Sequence, residues 1–302
     1  MSGGTNAAVA LVHEGFDPVL AGVPGLTWNR EGMVGLSGPS LALAERLDAS
    51  FASLARAMRA EAHSFVPLLA ARDLRRADYF TSFPQLVTIP ATLERDEANL
   101  RAFADDNGRD RDGALSLSAL APVETVLAPA ACYSIYAALR GSDLGAEPRV
   151  FTTLGTCFRR EERYTPLRRQ WCFRMREVVH VGTAVSSRRF LEDARAGAEE
   201  LARAWGIRLS LQIASDPFFD PSRSPKSLHQ KLFPTKQELV CSSGLAIGSL
   251  NAHRNFFGET FELRAESGPA HSACLAFGLE RWVYAVLAEH GNDPASWPGG
   301  PA

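Results

Sequence analysis

Two charged segments, Cys157 to Glu161 and Phe173 to Gly182, constrain the fold of this chain more than any other feature. Both alternate charged with apolar or aromatic residues at the period of two that is typical of β-strands. Seven arginines fall between Arg159 and Arg176, more than one face of an ordinary sheet carries. Because guanidinium forks bind phosphate oxygens, the segments predict a β-hairpin that lines a site for a phosphate-rich ligand. A solvated, salt-bridged hairpin is the alternative, but it would have a shorter turn than the eleven residues from Glu162 to Cys172.

The same alternation predicts which side chains of the hairpin share a face. Arg159 and Glu161 lie on one face of the first strand, and Phe173, Met175 and Glu177 lie on one face of the second. Such a face offers a guanidinium for phosphate, an aromatic plane and two carboxylates.

Composition limits the class of protein. With 302 residues the chain has room for one large domain or two small ones, and we expect a single domain over 1–302. The formal net charge of −2 argues against a surface built for a long polyanion such as nucleic acid. Five cysteines, an odd number without framework spacing, favour reduced thiols in the cytoplasm. A signal sequence and a membrane span are both absent from the pattern, so no membrane partner is expected.

The order of elements predicts an α+β fold in which an antiparallel sheet is flanked by helices. Residues 1–39 are interpreted as lead-in strands and loops, and Ser40 as the cap of an apolar-striped helix. A second helix is expected over Ala91 to Ala104, and a strand over Thr260 to Arg264. Ser272 to Phe277 predicts a small-residue strand that runs into a buried C-terminal helix.

Three motifs together resemble the catalytic core of class II aminoacyl-tRNA synthetases, seryl-tRNA synthetases in particular. They are Phe158-Arg159-Arg160-Glu161, the strand with Phe173 and Glu177, and Gly278-Leu279-Glu280-Arg281 at the start of the last helix. The resemblance implies an ATP site in which Arg159 binds the α-phosphate and Arg281 the γ-phosphate, while Glu161 and Phe173 bind adenine. It implies further ATP contacts, which are Arg169, Lys236, Ala246 and Ser249. Ala246 stands where those synthetases carry a metal-binding glutamate, so how Mg²⁺ is held with ATP stays open.

Cysteines narrow the resemblance further. Cys132 and Cys274 stand where seryl-type enzymes have other residues, and with Glu177 they are similar to the zinc set of methanogen-type seryl-tRNA synthetases and of the related amino acid:[carrier protein] ligases. Two thiolates and a carboxylate leave tetrahedral Zn²⁺ one open position, which in these families takes the substrate amino group. Separations of 45 and 97 residues form no motif by themselves, so without the resemblance a buried structural cysteine is the simpler interpretation.

The carrier-protein ligases are the favoured branch, because the chain offers no room for a tRNA-binding arm and no tRNA partner is expected. The implied reaction joins ATP and a small amino acid of the glycine or alanine class, then acylates the phosphopantetheine thiol of an acidic carrier protein. Residues 216–236, basic at the end, are a candidate docking segment. The resemblance also implies a homodimer, with Phe65 to Pro90 as its interface. Two alternatives stay open: a truncated seryl-type synthetase that acts on tRNA, and a non-catalytic paralogue that serves as a binding subunit.

Overall fold

The computed structural model describes residues 17–29, 32–108, 114–222, 235–266 and 268–301, and its centre is a mostly antiparallel sheet. In chain order the strands of the described residues are β1 (Leu26–Trp28), β2 (Val34–Leu36), β3 (Glu61–His63), β4 (Leu68–Ala70), β5 (Thr125–Leu127), β6 (Arg149–Phe158), β7 (Cys172–Gly182), β8 (Leu209–Ile213), β9 (Lys236–Cys241), β10 (Ala246–Arg254), β11 (Arg264–Ala265), β12 (Gly268–Pro269) and β13 (His271–Gly278). Within this described part, seven strands form the central sheet in the order β3-β6-β7-β13-β10-β9-β8. The β3–β6 pair is parallel and the other pairs are antiparallel.

Helices flank this sheet, so the predicted α+β class is confirmed. The described α-helices are α1 (Gly38–Ala57), α2 (Ala71–Arg76), α3 (Tyr79–Ser82), α4 (Glu97–Asn107), α5 (Cys132–Ala138), α6 (Ala184–Ala204), α7 (Phe256–Thr260) and α8 (Leu279–His290). Among the described residues, no helix combines the length and the apolar character that a bilayer span requires.

The main core lies between the sheet and the helices α1, α6 and α8. Helix α1 buries an apolar stripe at helical spacing, and its Phe51 ring stacks on Phe277 of β13 at 4.4 Å between ring centroids. Trp282 of α8 meets both rings edge-on. Even-numbered residues of β7 face this core, Val178 among them, so the odd-numbered ones face the opposite side of the sheet.

Several boundaries differ from the sequence predictions. Helix α1 begins at Gly38, so Ser40 lies inside it and donates its hydroxyl to the Pro24 carbonyl instead of acting as the cap. Helix α4 begins only at Glu97, because the Asp96 carboxylate accepts a hydrogen bond from the Asn99 amide and thereby caps it.

The strand predicted over Thr260 to Arg264 is wrong. Phe257 and Phe261 are buried one helical turn apart, and α7 occupies the start of this segment. Glu262 then takes a left-handed φ of 58°, and only Arg264 joins a short strand.

An ion pair between β7 and α1 is expected to matter for stability. Arg176 Nε and Nη2 donate to the two carboxylate oxygens of Asp48 at 2.6 and 2.8 Å, and both side chains are largely shielded from water. Asp48→Ala should lower the free energy of unfolding by about 2–3 kcal/mol, because the shielded guanidinium would lose its only carboxylate among the described residues and keep just a long hydrogen bond to Thr152. Urea denaturation measures this loss.

The exposed Arg195–Glu199 pair on α6 is the matched control. Glu199→Ala should cost less than about 0.5 kcal/mol, since exposed pairs contribute little. Equal effects of the two substitutions would contradict the role given to the Arg176–Asp48 pair.

Candidate active site

A cavity of about 230 Å³ opens on the face of the sheet opposite α1. Odd-numbered residues of β7 and even-numbered residues of β13 line it, because strand side chains alternate between the two faces. Strand β10 has a register shift between Ala246 and Gly248, and residues of both parities line the cavity at this shift. The predicted site residues of the hairpin line it together, as do Lys236, Ala246, Ser249, Cys132, Cys274 and Arg281.

At one end of the cavity, backbone carbonyls hold two guanidinium groups in place. Arg159 Nε donates to the Pro129 carbonyl at 2.8 Å, and its guanidinium lies 5.2 Å from the centre of the Phe173 ring. Arg281 donates from Nε to the carbonyl of Arg168 and from Nη1 to the carbonyl of Ala246. Neither guanidinium is neutralised by these contacts, so both keep their charge available for an anion.

The positive charge of Arg281 is disfavoured by its surroundings at this end of the cavity. Burial, followed by the charges of Arg159 and Arg169, lowers the pKa of Arg281 to about 10. A polyphosphate bound between Arg281, Arg159 and Arg169 would relieve this repulsion on Arg281.

Two further predicted ATP contacts have carboxylate partners in this structure. Arg169 Nη1 donates to Glu161 Oε2 at 3.3 Å, so the loop arginine and the Glu161 carboxylate are linked. Lys236 Nζ lies 2.9 Å from Asp216 Oδ1 and 3.5 Å from Glu238 Oε1. Lys236 therefore needs to change partners before it can contact a phosphate.

Ala246 takes part in the site through its backbone carbonyl and not through its side chain. The methyl group of Ala246 offers no metal ligand, whereas its carbonyl accepts from Arg281. Ser249 lies opposite Glu238 in the β9–β10 register, which puts a hydroxyl and a carboxylate side by side on the cavity wall.

The other end of the cavity is built around Glu177. Its side chain is buried, with 1% of the residue surface exposed, and Oε1 accepts hydrogen bonds from the amides of Ala131 at 2.8 Å and Cys132 at 3.2 Å. Helix α5 has no capping side chain of its own, so this carboxylate satisfies its first amides. Burial, together with the charge of Cys274, raises the pKa of Glu177 to about 7.

The thiols of Cys132 and Cys274 lie beside this carboxylate and share a hydrogen bond. A hydrogen bond with Cys132 lowers the pKa of the Cys274 thiol and raises that of Cys132, so Cys274 is the more easily ionised of the two thiols. Asn251 Nδ2 favours the ionised form by donating to Cys274 Sγ at 3.4 Å. The three predicted zinc ligands thus lie in one cluster, although in the described part of the chain no three His, Cys, Asp or Glu side chains are arranged to hold a metal ion.

Sequence reasoning missed Asn251 and His253, which line the cavity next to Cys274. Burial opposes protonation of the His253 imidazole, but the charge and hydrogen bonding of Cys274 outweigh it and raise the pKa of His253. Both residues follow Ser249 at the strand period of two, and this spacing is the signal that could have found them.

Comparison with known proteins gives two groups of relatives, while no protein-family model matches the chain. Amino acid–[acyl-carrier-protein] ligase 1 of Bradyrhizobium diazoefficiens is 36% identical over 264 residues, which cover 85% of this chain and 79% of that protein. Ligase 2 of the same organism is 35% identical over 299 residues, or 96% of this chain and 84% of that protein. The type-2 serine–tRNA ligase of Methanopyrus kandleri is 26% identical over 190 residues, 57% of this chain and 36% of that protein.

Solved structures show the fold. Seryl-tRNA synthetase of M. kandleri, solved with A. aeolicus tRNASec, superposes with a TM-score of 0.77 at 21% identity over 90% of this chain. A cytoplasmic serine–tRNA ligase of Naegleria fowleri, solved with AMP, gives 0.64 at 10% identity over 86% of this chain. The chain spans 56% and 51% of those two chains. The predicted class II synthetase architecture is therefore confirmed.

Proposed function

Because this chain belongs to the amino acid–[acyl-carrier-protein] ligase family, we propose that it activates a small amino acid with ATP and transfers it to a carrier-protein thiol. The observation that carries the proposal is the division of one cavity. Arg159, Phe173 and Arg281 lie at one end, while Cys132 and Cys274 lie at the other. Strand β7 connects the two ends with Phe173 and Glu177 on one face.

The first step forms an aminoacyl-adenylate. A carboxylate oxygen of the amino acid bonds to the α-phosphorus of ATP, and the bond to the β-phosphate oxygen breaks to release pyrophosphate. Arg159 binds the α-phosphate and stabilises the charge of the transition state, while Arg281 binds the γ-phosphate. The Phe173 ring stacks on adenine, and the Glu161 carboxylate accepts from its amino group. Much of the remaining rate comes from holding the two substrates in line, since no protein nucleophile is required.

The second step transfers the aminoacyl group. The phosphopantetheine thiolate attacks the carbonyl carbon of the adenylate, the new thioester bond forms, and AMP leaves with the bonding electrons. The docking segment proposed over 216–236 lies only partly within the described residues, since 223–234 fall outside them. At its two ends, Lys236 and Asp216 pair across the cavity mouth. A carrier protein that displaced this contact would free Lys236 for phosphate.

The amino acid is bound at the thiol end. A small amino acid of the glycine or alanine class is the proposed substrate, with Tyr133 and Asn251 among the residues that line the cavity beside the thiols. A zinc ion held by Cys132, Glu177 and Cys274 would supply a Lewis-acidic position for the substrate amino group. Two thiols, one of them stabilised as the thiolate, and a carboxylate form a donor set that suits zinc.

Mg²⁺ would accompany ATP, with Glu238 and Ser249 as the nearby oxygen donors in place of the missing carboxylate at 246.

We favour a carrier protein over tRNA as the acceptor, because the chain matches a larger share of the carrier-protein ligases than of the serine–tRNA ligase. The chain is similar over most of the length of the carrier-protein ligases but over 36% of the M. kandleri serine–tRNA ligase. A non-catalytic binding subunit is the less favoured alternative, because the arginines, the aromatic ring and the thiol cluster all lie in one cavity.

Dimer formation and a cytoplasmic location complete the proposal. The side chains of Val66 and Leu68, next to the edge strand β3, are exposed, as is Ile89, and a second copy of the chain would cover them. All five cysteines are free thiols, as a reducing compartment favours. Sedimentation that gives only monomer at micromolar concentration would contradict the dimer.

Two assays, carried out one after the other, test the proposed function. Amino-acid-dependent exchange between ATP and labelled pyrophosphate should occur with glycine or alanine, and no exchange with any small amino acid would exclude the first step. Purified holo carrier protein and tRNA are then offered as competing acceptors, with apo carrier protein as the matched control. Acylation of tRNA without acylation of the pantetheine thiol would favour the synthetase alternative.

A further inference from the structure

Gly32, just before strand β2 of the N-terminal β1–β2 hairpin, packs against the loop between β6 and β7. Gly32, which is buried, takes a left-handed φ of 77°, and a Cβ atom built there would lie 2.5 Å from Cγ of Tyr164. The Gly32 carbonyl also accepts a hydrogen bond from the Trp171 amide at 3.3 Å. Because only glycine leaves space for the tyrosine ring at this point, the ring of Tyr164 packs directly on the backbone of Gly32, which forms its seat.

Tyr164 in turn holds the chain at Glu161. Strand β6 ends at Phe158, and the next two amides find backbone carbonyls, those of Trp171 and Leu86. The Glu161 amide has a side-chain partner instead, since it donates to the Tyr164 hydroxyl at 3.4 Å. The Arg160 guanidinium donates to the same hydroxyl at 3.0 Å.

Other contacts keep the rest of this loop in place, so the tyrosine acts on a defined structure. The Leu167 side chain is buried in the main core, and Arg168 Nη1 donates to Asp17 Oδ2 at 3.1 Å. Asp17 also accepts from the Tyr284 hydroxyl at 2.6 Å. The second half of the loop is therefore held by residues far away in sequence.

We propose that Tyr164, seated on Gly32, is a positioning residue that fixes Glu161 for recognition of the adenine base. The inference rests on the proposed function, in which the Glu161 carboxylate accepts from the adenine amino group. A fixed carboxylate binds an exocyclic amino group and repels the carbonyl that guanine carries at the same ring position. Base selectivity is therefore the property that Tyr164 should control.

Tyr164→Phe keeps the ring on its seat and removes only the hydroxyl. The dissociation constant for ATP, measured by calorimetry, should rise about fivefold, as expected for one lost hydrogen bond. The constant for GTP should change little, so the preference for ATP over GTP should fall by the same factor. Unchanged ATP affinity together with unchanged base preference would overturn the proposal.

Gly32→Ala tests the seat, with Gly22→Ala as its matched control. Both glycines have a left-handed φ, but a Cβ at Gly22 meets nothing within 4 Å. Gly32→Ala should raise the dissociation constant for ATP at least as much as Tyr164→Phe does, whereas Gly22→Ala should leave it unchanged. In a Tyr164→Ala background, Gly32→Ala should add less than about a twofold change, because the two residues act through one contact. Independent, multiplying effects would show that Gly32 does not act through Tyr164.

Binding and turnover separate this inference from the proposed function. Wild-type protein that binds ATP but shows no amino-acid-dependent exchange would exclude the function, while the nucleotide affinities of the variants would still decide the role of Tyr164. Wild-type protein that binds no ATP would overturn both.

Discussion

Arg159→Lys is expected to lower kcat/KM for amino-acid-dependent pyrophosphate exchange by about 10²- to 10³-fold, the usual loss when one preorganised charge donor is removed. The Pro129 carbonyl and the Phe173 ring fix the plane of the guanidinium, and its Nη2 lies 3.7 Å from Met175 Sδ at the cavity wall. An ammonium group is a point charge that cannot hold the carbonyl and two phosphate oxygens together. The loss should fall mainly on kcat, because charge on the α-phosphate increases in the transition state.

The control for this substitution is Arg195→Lys on α6, which alters an exposed pair with Glu199. It should leave exchange within about twofold of wild type. Thermal unfolding of both variants shows whether the fold is intact, and Arg159→Lys should shift the midpoint by less than about 4 °C. An exchange rate within about threefold of wild type would remove Arg159 from the proposed chemistry.

Cys274→Ser should abolish both zinc retention and amino acid activation. Serine keeps the size of the side chain but loses the thiolate, which is the softer and more easily ionised donor. The zinc content of protein purified without chelator should fall from about one per chain to less than about a fifth of that, and exchange should fall at least about 100-fold. Elemental analysis and the exchange assay measure the two effects.

Cys241→Ser provides a matched thiol control. Cys241 is also buried, but its Sγ lies 3.2 Å from the Ser243 hydroxyl, at the end of β9, and it does not line the cavity. This variant should keep both zinc and activity. A Cys274→Ser protein with stoichiometric zinc and full exchange would refute the proposed metal site.

Strand periodicity predicted the part of the cavity wall that β7 forms, but Arg159 and Glu161 lie in the loop after β6 ends at Phe158 and not, as predicted, in the strand. Phe173, Met175 and Glu177 share a face of β7, as alternation requires, and Arg159 lies over Phe173. Position 246 could be judged only in part, because sequence shows the missing glutamate but not that the Ala246 carbonyl would hold Arg281. Backbone contacts of this kind depend on strand register, which the residue types do not encode.

Long-range placement could not be predicted from the residues themselves. Cys132 and Cys274 are 142 residues apart in sequence, and only the resemblance to a known family brought them together. The segment around Phe257 and Phe261 was assigned to the wrong structure, because short aromatic-rich runs fit a strand and a helical turn equally well. The seat that Gly32 forms for Tyr164 had no signal in the sequence, since a single glycine in a loop shows no preference for a partner.

The carboxylate of Glu177 also determines when the amino acid end of the cavity can form during folding. Helix α5 has seven residues, too few to be stable alone, and its first amides are satisfied by a strand 45 residues further along the chain. The β6–β7 hairpin joins neighbouring segments, whereas Cys274 reaches the cluster only when β13 pairs with β7. We therefore expect Arg159 and Phe173 to come together early, whereas Arg281 of α8 and the thiol cluster take their places only after β13 has joined the sheet. A chain that is only partly folded would offer one arginine and one aromatic ring of the cavity, without the second arginine or the thiols.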